Sequence, residues 1–335
     1  MIKIELNNDI SAYFSRVTDN IVNENNLDEY IPVTNSNKEL LIKKMQLNDS
    51  SITDIYYDEK LITDNPYYKN INLKDIDSGK FIYKNIRMKK DLAINISWLL
   101  ADKNKELNDY MILGAIKKDV NIPVLKEGAT IWMSPTLAEQ NTINPFIDKA
   151  VGNVLTFGLG LGYFPYMCSL KEEVNSITIV EFNKEVIDLF NDYILPQFEY
   201  KDKIKIIHGD MFDYLREEFL NEFDYTFVDI WKDNEHGLEV LTKIFEKLNY
   251  KGNIDYWIEF SCYSFFRMLN FSYFKNLAEG NLTKFLSNFD SEDKDIIRKI
   301  HKYYRKSNKV IDNSNELKNL IYDTSIIREI LSIKL

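Results

Sequence analysis

Asn153-Val-Leu-Thr-Phe-Gly-Leu-Gly-Leu-Gly162 ends an apolar run in three alternate glycines, and Ile177-Thr-Ile-Val-Glu181 ends the next apolar run in an acid. Glycines at 158, 160 and 162 let the backbone turn sharply and approach a ligand closely, because no Cβ intervenes. A carboxylate at the tip of the following strand can accept two hydrogen bonds from a ribose diol. A parallel α/β sheet holds a nucleoside at its carboxyl edge with this pairing of glycine turn and distant acid.

Outward from this stretch, residues 153–260 alternate strand and helix. Candidate strands are Asn153–Phe157, Ser176–Glu181, Lys203–Ile207, Tyr225–Ile230 and Asn253–Phe260, with helical segments near 162–172, 183–194, 211–221 and 235–248. Several of the strands are near-continuous apolar runs, as a parallel sheet covered on both faces requires. Right-handed crossovers bring the strand ends to one edge, where Gly158, Glu181, Asp210 and Asp229 converge.

The flanks read differently. In residues 1–125, amphipathic segments at Ile10–Asn23 and Lys38–Leu47 are separated by polar stretches. Helical spacing of Leu92, Ile96, Leu99 and Leu100 predicts a helix within Asp91–Leu107, with Trp98 as a core anchor. Ile122–Met133 reads as a hairpin turning at Lys126-Glu-Gly128, and Ser134-Pro-Thr-Leu-Ala-Glu139 as a serine-capped helix start. Beyond Phe260, the aromatic stripe Tyr263, Phe265, Phe266, Phe271, Tyr273 and Phe274 has helical spacing and reads as core rather than a ligand cage. Residues 285–335 read as charged helices that cap the sheet, pack on the amino-terminal part or form a homodimer contact.

Composition narrows the function classes. With 45% hydrophobic and 13% aromatic residues the chain carries a packed core. A net charge of −10 argues against a broad nucleic-acid footprint, and Lys302-Tyr-Tyr-Arg-Lys306 reads as a solvated helix face. Two cysteines, Cys168 and Cys262, are too few for a disulfide framework or a structural zinc site and read as buried small apolar residues. The amino terminus lacks a signal-peptide layout and no apolar run is long enough to span a bilayer, so the expectation is a cytoplasmic protein without membrane or nucleic-acid partners. His208 and His236 are isolated, His236 reads as surface, and no cluster has metal-ligand spacing.

Tyr163 occupies the position at which a dinucleotide fingerprint needs a small residue. The Gly158-Leu-Gly160-Leu-Gly162 spacing, with Phe157 before it, instead resembles the first motif of class I S-adenosylmethionine-dependent methyltransferases. Glu181 matches that superfamily's ribose-gripping acid. His208-Gly-Asp210-Met211 resembles the segment where an acid meets the adenine amino group and an apolar neighbour packs on its ring. Phe227-Val-Asp229-Ile-Trp231 resembles the fourth motif, beside the reactive sulfonium. The resemblance covers about a third of the chain. The extended front part and the Val-Asp-Ile-Trp segment look most like the spermidine-synthase-like branch.

The resemblance implies a Rossmann-like, doubly wound, mostly parallel α/β sheet at 126–262, with an N-terminal α+β extension (1–125) and a C-terminal helical region (263–335). It implies S-adenosyl-L-methionine as cofactor and methyl transfer without naming the acceptor; a small molecule is the default expectation, with Asp229 orienting or deprotonating it. Tyr163, Gln140 and Trp231 are candidate acceptor contacts, as are Trp132 and Glu139 from the 120–145 segment. Leu161 stands where aminopropyltransferases carry an acid, which argues against polyamine chemistry. Aminopropyl transfer and a non-catalytic cofactor-binding protein are the competing readings.

Overall fold

The computed structural model describes residues 1–22, 27–102, 105–248, 250–288 and 293–335. The amino-terminal part runs β1 (Lys3–Ile4), α1 (Asn8–Val22), β2 (Ile31–Pro32), α2 (Lys38–Gln46), β3 (Tyr56–Tyr57), α3 (Lys60–Thr63) and α4 (Pro66–Asn70). It continues through β4 (Ile76–Asp77), β5 (Phe81–Met88), β6 (Leu92–Asn95), β7 (Leu113–Ile116), β8 (Val120–Glu127) and β9 (Thr130–Met133). These strands form two four-stranded sheets, β2-β6-β7-β3 and β4-β5-β8-β9. The β8–β9 pair is the expected hairpin, and Gly128 turns it at φ 58°.

The helix expected within Asp91–Leu107 does not form. Leu92–Asn95 pairs antiparallel with both β2 and β7, and Asp91 enters the strand at φ 56°. Two flanking strands satisfy the backbone of this segment, and that outweighs a four-residue helical pattern. Trp98 is only partly buried, edge-on to Trp257 at 5.2 Å.

After α5 (Leu137–Lys149) the chain enters the alternating region: β10 (Gly152–Phe157), α6 (Tyr163–Ser169), β11 (Val174–Glu181), α7 (Lys184–Leu189), β12 (Ile204–His208), α8 (Met211–Tyr214) and α9 (Glu217–Leu220). β13 (Tyr225–Val228), α10 (Asn234–Lys247) and β14 (Ile254–Tyr256) complete it. All five strands are parallel, in the order β12-β11-β10-β13-β14. Val154, Leu155, Phe157 and all of β13 are buried, as the covered faces of such a sheet demand. The chain reverses direction across the sheet between β10 and β13, which places the switch point beside Gly158 and Asp229. The last strand stops at Tyr256, earlier than its apolar run suggests, because Ile258 turns left-handed (φ 43°) into α11 (Glu259–Cys262).

The remainder is helical: α12 (Ser264–Ala278), α13 (Leu282–Ser287), α14 (Asp293–Arg305), α15 (Ser314–Tyr322) and α16 (Thr324–Leu331). Phe266, Phe271, Tyr273 and Phe274 of the aromatic stripe are buried, while Phe265 stays exposed. Strand β15 (Val310–Ile311), set among these helices, pairs with β1 and ties the two ends of the chain together. Arg267, buried on α12, is ion-paired with buried Asp109, fastening the helices to the amino-terminal part. Both cysteines are buried and free. Among the described residues no helix is long and apolar enough to cross a membrane, and no group of three potential ligands gathers for a metal.

Candidate functional site

A cavity of about 380 Å³ opens at the carboxyl edge of the parallel sheet. Its floor comes from consecutive strand ends: Gly158 and Gly160 after β10, Glu181 closing β11, Asp210 and Met211 after β12, and Asp229 with Trp231 after β13. β12 and β13 lie three strand spacings apart, so Asp210 and Asp229 stand on the order of 14 Å from each other across the edge.

Each floor residue has a physical reason to be where it is. Gly158 (φ 100°) lies in the left-handed region, and a Cβ there would overlap the carbonyl oxygen of Asp229. Glycine thus lets β10 and β13 close on each other at the switch point. A Cβ on Gly160 (φ 53°) would strike the sulfur of Met133, which itself accepts a hydrogen bond from the Leu161 amide at 3.0 Å. The Glu181 carboxylate accepts from Leu159 N at 3.0 Å and Asn183 N at 2.7 Å, one bond to each oxygen. Acceptor capacity remains on both oxygens for a ligand. Burial raises the Glu181 carboxyl above its ordinary value, and those amide bonds pull the other way. Asp210 caps α8, accepting from Phe212 N at 2.8 Å through one carboxylate oxygen, so capping leaves the other oxygen for the cavity.

The facing wall is built from the amino-terminal part: Phe81, Leu125, Trp132, Met133 and Glu139. Burial pushes the Asp229 carboxyl up to about 7. Glu139 lies well above the usual carboxylate range, through burial first and the neighbouring charge of Asp229 second. Two carboxyl groups close enough to feel each other in an apolar cavity resist ionising together. Glu139 accepts a 3.3 Å bond from Ser134 N, whereas among the described residues nothing donates to the Asp229 side chain.

Four residues expected at the site do not line this cavity. Phe157 is fully buried in the core, its carbonyl accepting from Asp229 N. Gly162 (φ 74°) begins α6, and a Cβ there would meet the Phe190 ring, so its freedom serves packing. Tyr163 is buried with its hydroxyl held between Asn65 Nδ2 (2.9 Å) and Asn144 Oδ1 (2.8 Å). Gln140 lies one residue, or about 100°, around the helix from Glu139 and bonds Pro135 O and Asn65 instead. The α5 start also differs from expectation. Thr136 takes the cap position without a side-chain bond, and Glu139 reaches back to the Ser134 amide.

His236, read as surface from its sequence neighbours, lines the cavity. Asp233 caps α10 by accepting from His236 N, and this sets the helix phase that turns residues 236, 240 and 243 inward. Trp257 is a further wall residue that no local pattern singled out; its indole donates to Thr142 Oγ1 at 3.0 Å.

With sheet order and site in view, the fold can be placed. It is a Rossmann-like α/β fold, with five parallel strands in the order β12-β11-β10-β13-β14. Similar solved structures include spermidine synthase from Thermotoga maritima, at 16% identity and a TM-score of 0.34, covering 64% of this chain and 84% of that one. Human methyltransferase-like protein 13 in complex with SAH is similar at 19% identity and a TM-score of 0.21, over 28% of this chain and 42% of that one. A chain described as a SAM-dependent methyltransferase from Streptococcus mutans is similar at 17% identity and a TM-score of 0.29, over 50% of this chain and 44% of that one. No protein-family model and no curated protein matches the chain.

Proposed function

We propose that the protein is an S-adenosyl-L-methionine-dependent methyltransferase acting on a small-molecule acceptor. The observation that carries this reading is the convergence of Gly158, Gly160, Glu181, Asp210 and Asp229 on one cavity at the switch point. The fit to an adenosyl group rests on two features: a buried carboxylate with acceptor capacity left, and a capping aspartate with a second oxygen unused by the cap.

Glu181 would hold the ribose hydroxyls, Asp210 the adenine amino group, and Met211 would pack on the ring. S-adenosyl-L-methionine supplies an electrophilic methyl group whose carrier departs as a neutral thioether. The protein's contribution is alignment, exclusion of water and proton removal. Asp229, at the β13 end of the cavity and raised towards neutrality, is suited to take a proton from the acceptor. Trp231 and Trp257, both buried, exclude water from that end.

One observation favours aminopropyl transfer as the second reading. Among the described residues no arginine lines the cavity, Lys243 in its lining is exposed, and the wall near Asp229 is apolar and acidic. A methionyl carboxylate wants a donor there, and a decarboxylated tail does not. Calorimetry with S-adenosylmethionine and its decarboxylated analogue separates the two, with tighter binding of the former expected. Asp229→Asn should then lower kcat about 100-fold or more with cofactor affinity retained. Unchanged turnover in that variant would remove Asp229 from the mechanism.

A further inference from the structure

Leu161 lies between Gly160, which lines the cavity, and Gly162, and is itself fully buried. Both glycines have positive φ, 53° and 74°, and glycine moves between such conformations and ordinary ones at little steric cost. A turn of this composition needs contacts from outside to hold one arrangement. The helix that follows does not reach the Leu161 carbonyl. The α6 ladder begins one residue later, where Gly162 O accepts from Tyr166 N at 2.9 Å. A buried carbonyl outside the ladder needs a donor from elsewhere.

That donor is the Tyr67 hydroxyl, 2.6 Å from Leu161 O and carried by α4 of the amino-terminal part. Tyr67 is fully buried, its ring edge-on to Tyr163 and to Tyr166 with centroids 5.5 Å away in each case. The start of α4 fixes the ring's place. Asn65 caps the helix by accepting from Tyr67 N at 2.9 Å, and Pro66 takes its first position. Burial raises the hydroxyl well above its ordinary value, so it keeps its proton and donates. The Leu161 amide donates to Met133 Sδ at 3.0 Å. Side chains of the amino-terminal part thus hold Leu161 by both its N–H and its C=O.

We propose that Tyr67 is a positioning residue of the nucleoside site, pinning the Leu161 carbonyl so that the Gly160 backbone keeps the arrangement that admits the ligand; only the naming of that ligand rests on the transferase reading. Two variants of the full-length protein test this. Tyr67→Phe removes the pin. Tyr166→Phe removes a hydroxyl whose bonds go instead to Asn70 Nδ2 (2.8 Å) and Pro66 O (3.4 Å), fastening α4 without bonding the glycine turn. Thermal melts should show both folded with comparable losses of melting temperature. Calorimetry should then show S-adenosylhomocysteine about tenfold weaker in Y67F and within about twofold of the unaltered protein in Y166F. In the ligand-free protein, hydrogen exchange of residues 158–162 should quicken about fivefold or more in Y67F alone. Equal effects of the two variants, unchanged exchange in Y67F, or faster exchange with affinity retained, each overturns the proposal. Should Y67F melt below the assay temperature, the unaltered protein decides: S-adenosylhomocysteine should slow exchange of the α4 amides, which lie outside the cavity, and no slowing refutes the coupling. If the unaltered protein binds no S-adenosylhomocysteine, the transferase reading falls, and the exchange of the turn alone judges Tyr67.

Discussion

The floor and the wall of the cavity are built in different ways. The floor takes Gly158, Glu181, Asp210 and Asp229 from the ends of successive strands, each placed by the strand that carries it. The wall takes Phe81, Leu125, Trp132 and Glu139 from two antiparallel strands, a hairpin and a lead-in helix, none of which belongs to the parallel sheet. The floor's polar groups are largely engaged by backbone amides, as in Glu181 and Asp210, while the wall's Glu139 faces an Asp229 that no described group bonds. Under the proposed function, the nucleoside is a constant requirement met by rigid strand ends, and the acceptor, which varies between enzymes, is met by elements brought in from elsewhere.

The largest test of this contrast lies in the floor. Gly158→Ala places a Cβ against the Asp229 carbonyl in a left-handed backbone conformation. More than about 3 kcal/mol of strain and overlap is expected, seen as a fall in melting temperature and at least about 100-fold weaker S-adenosylhomocysteine binding. Undiminished binding would show that the floor is not the rigid cradle described.

A smaller effect addresses the junction of floor and wall. Asp229, held near 7, keeps a proton in the folded protein that the unfolded chain, with an aspartate near 3.8, has already lost. Between about pH 4 and 7 the folded state binds more protons, so the stability of the ligand-free protein falls as pH rises through that window. Asp229→Asn should flatten the dependence and stabilise the protein at pH 7 by on the order of 1–3 kcal/mol, measured by denaturant melts at a series of pH values. Under the proposed function, turnover is expected to run in the opposite direction, rising through about pH 7 as the Asp229 carboxylate forms. A stability profile identical in the variant would place Asp229 in contact with solvent rather than in an apolar cavity.

The smallest expected effect lies behind the floor. Tyr163→Phe loses the hydroxyl held by Asn65 and Asn144 and should cost about 1–2 kcal/mol in thermal stability while leaving S-adenosylhomocysteine affinity unchanged. A loss of affinity larger than the loss of stability would return Tyr163 to the site.

The legible parts of the sequence are those whose geometry is local. The apolar runs at 153–157 and 176–181, each ending in a glycine or an acid, specify strands whose tips must lie at one edge, because right-handed crossovers leave no other arrangement. That reasoning reached the sheet, the switch point and the floor. It failed at Asp91–Leu107, where pairing with β2 and β7 overrode helical spacing. It also failed at His236, where a cap at Asp233 set the helix phase and turned the imidazole inward. Gln140 and Glu139 are neighbours in sequence, yet the α5 turn sends one to Asn65 and Pro135 and the other to the cavity.

From residue order alone came the alternation of strand and helix, the glycine turn and the acids that follow three of the strands, since each depends on spacing within a few tens of residues. Only the tertiary structure decided which face of each helix reaches the cavity and that Glu139 stands near Asp229. Their proximity depends on long-range packing of the amino-terminal sheets and α5 over the sheet edge, and contacts between segments so far apart in sequence leave no periodic mark in it.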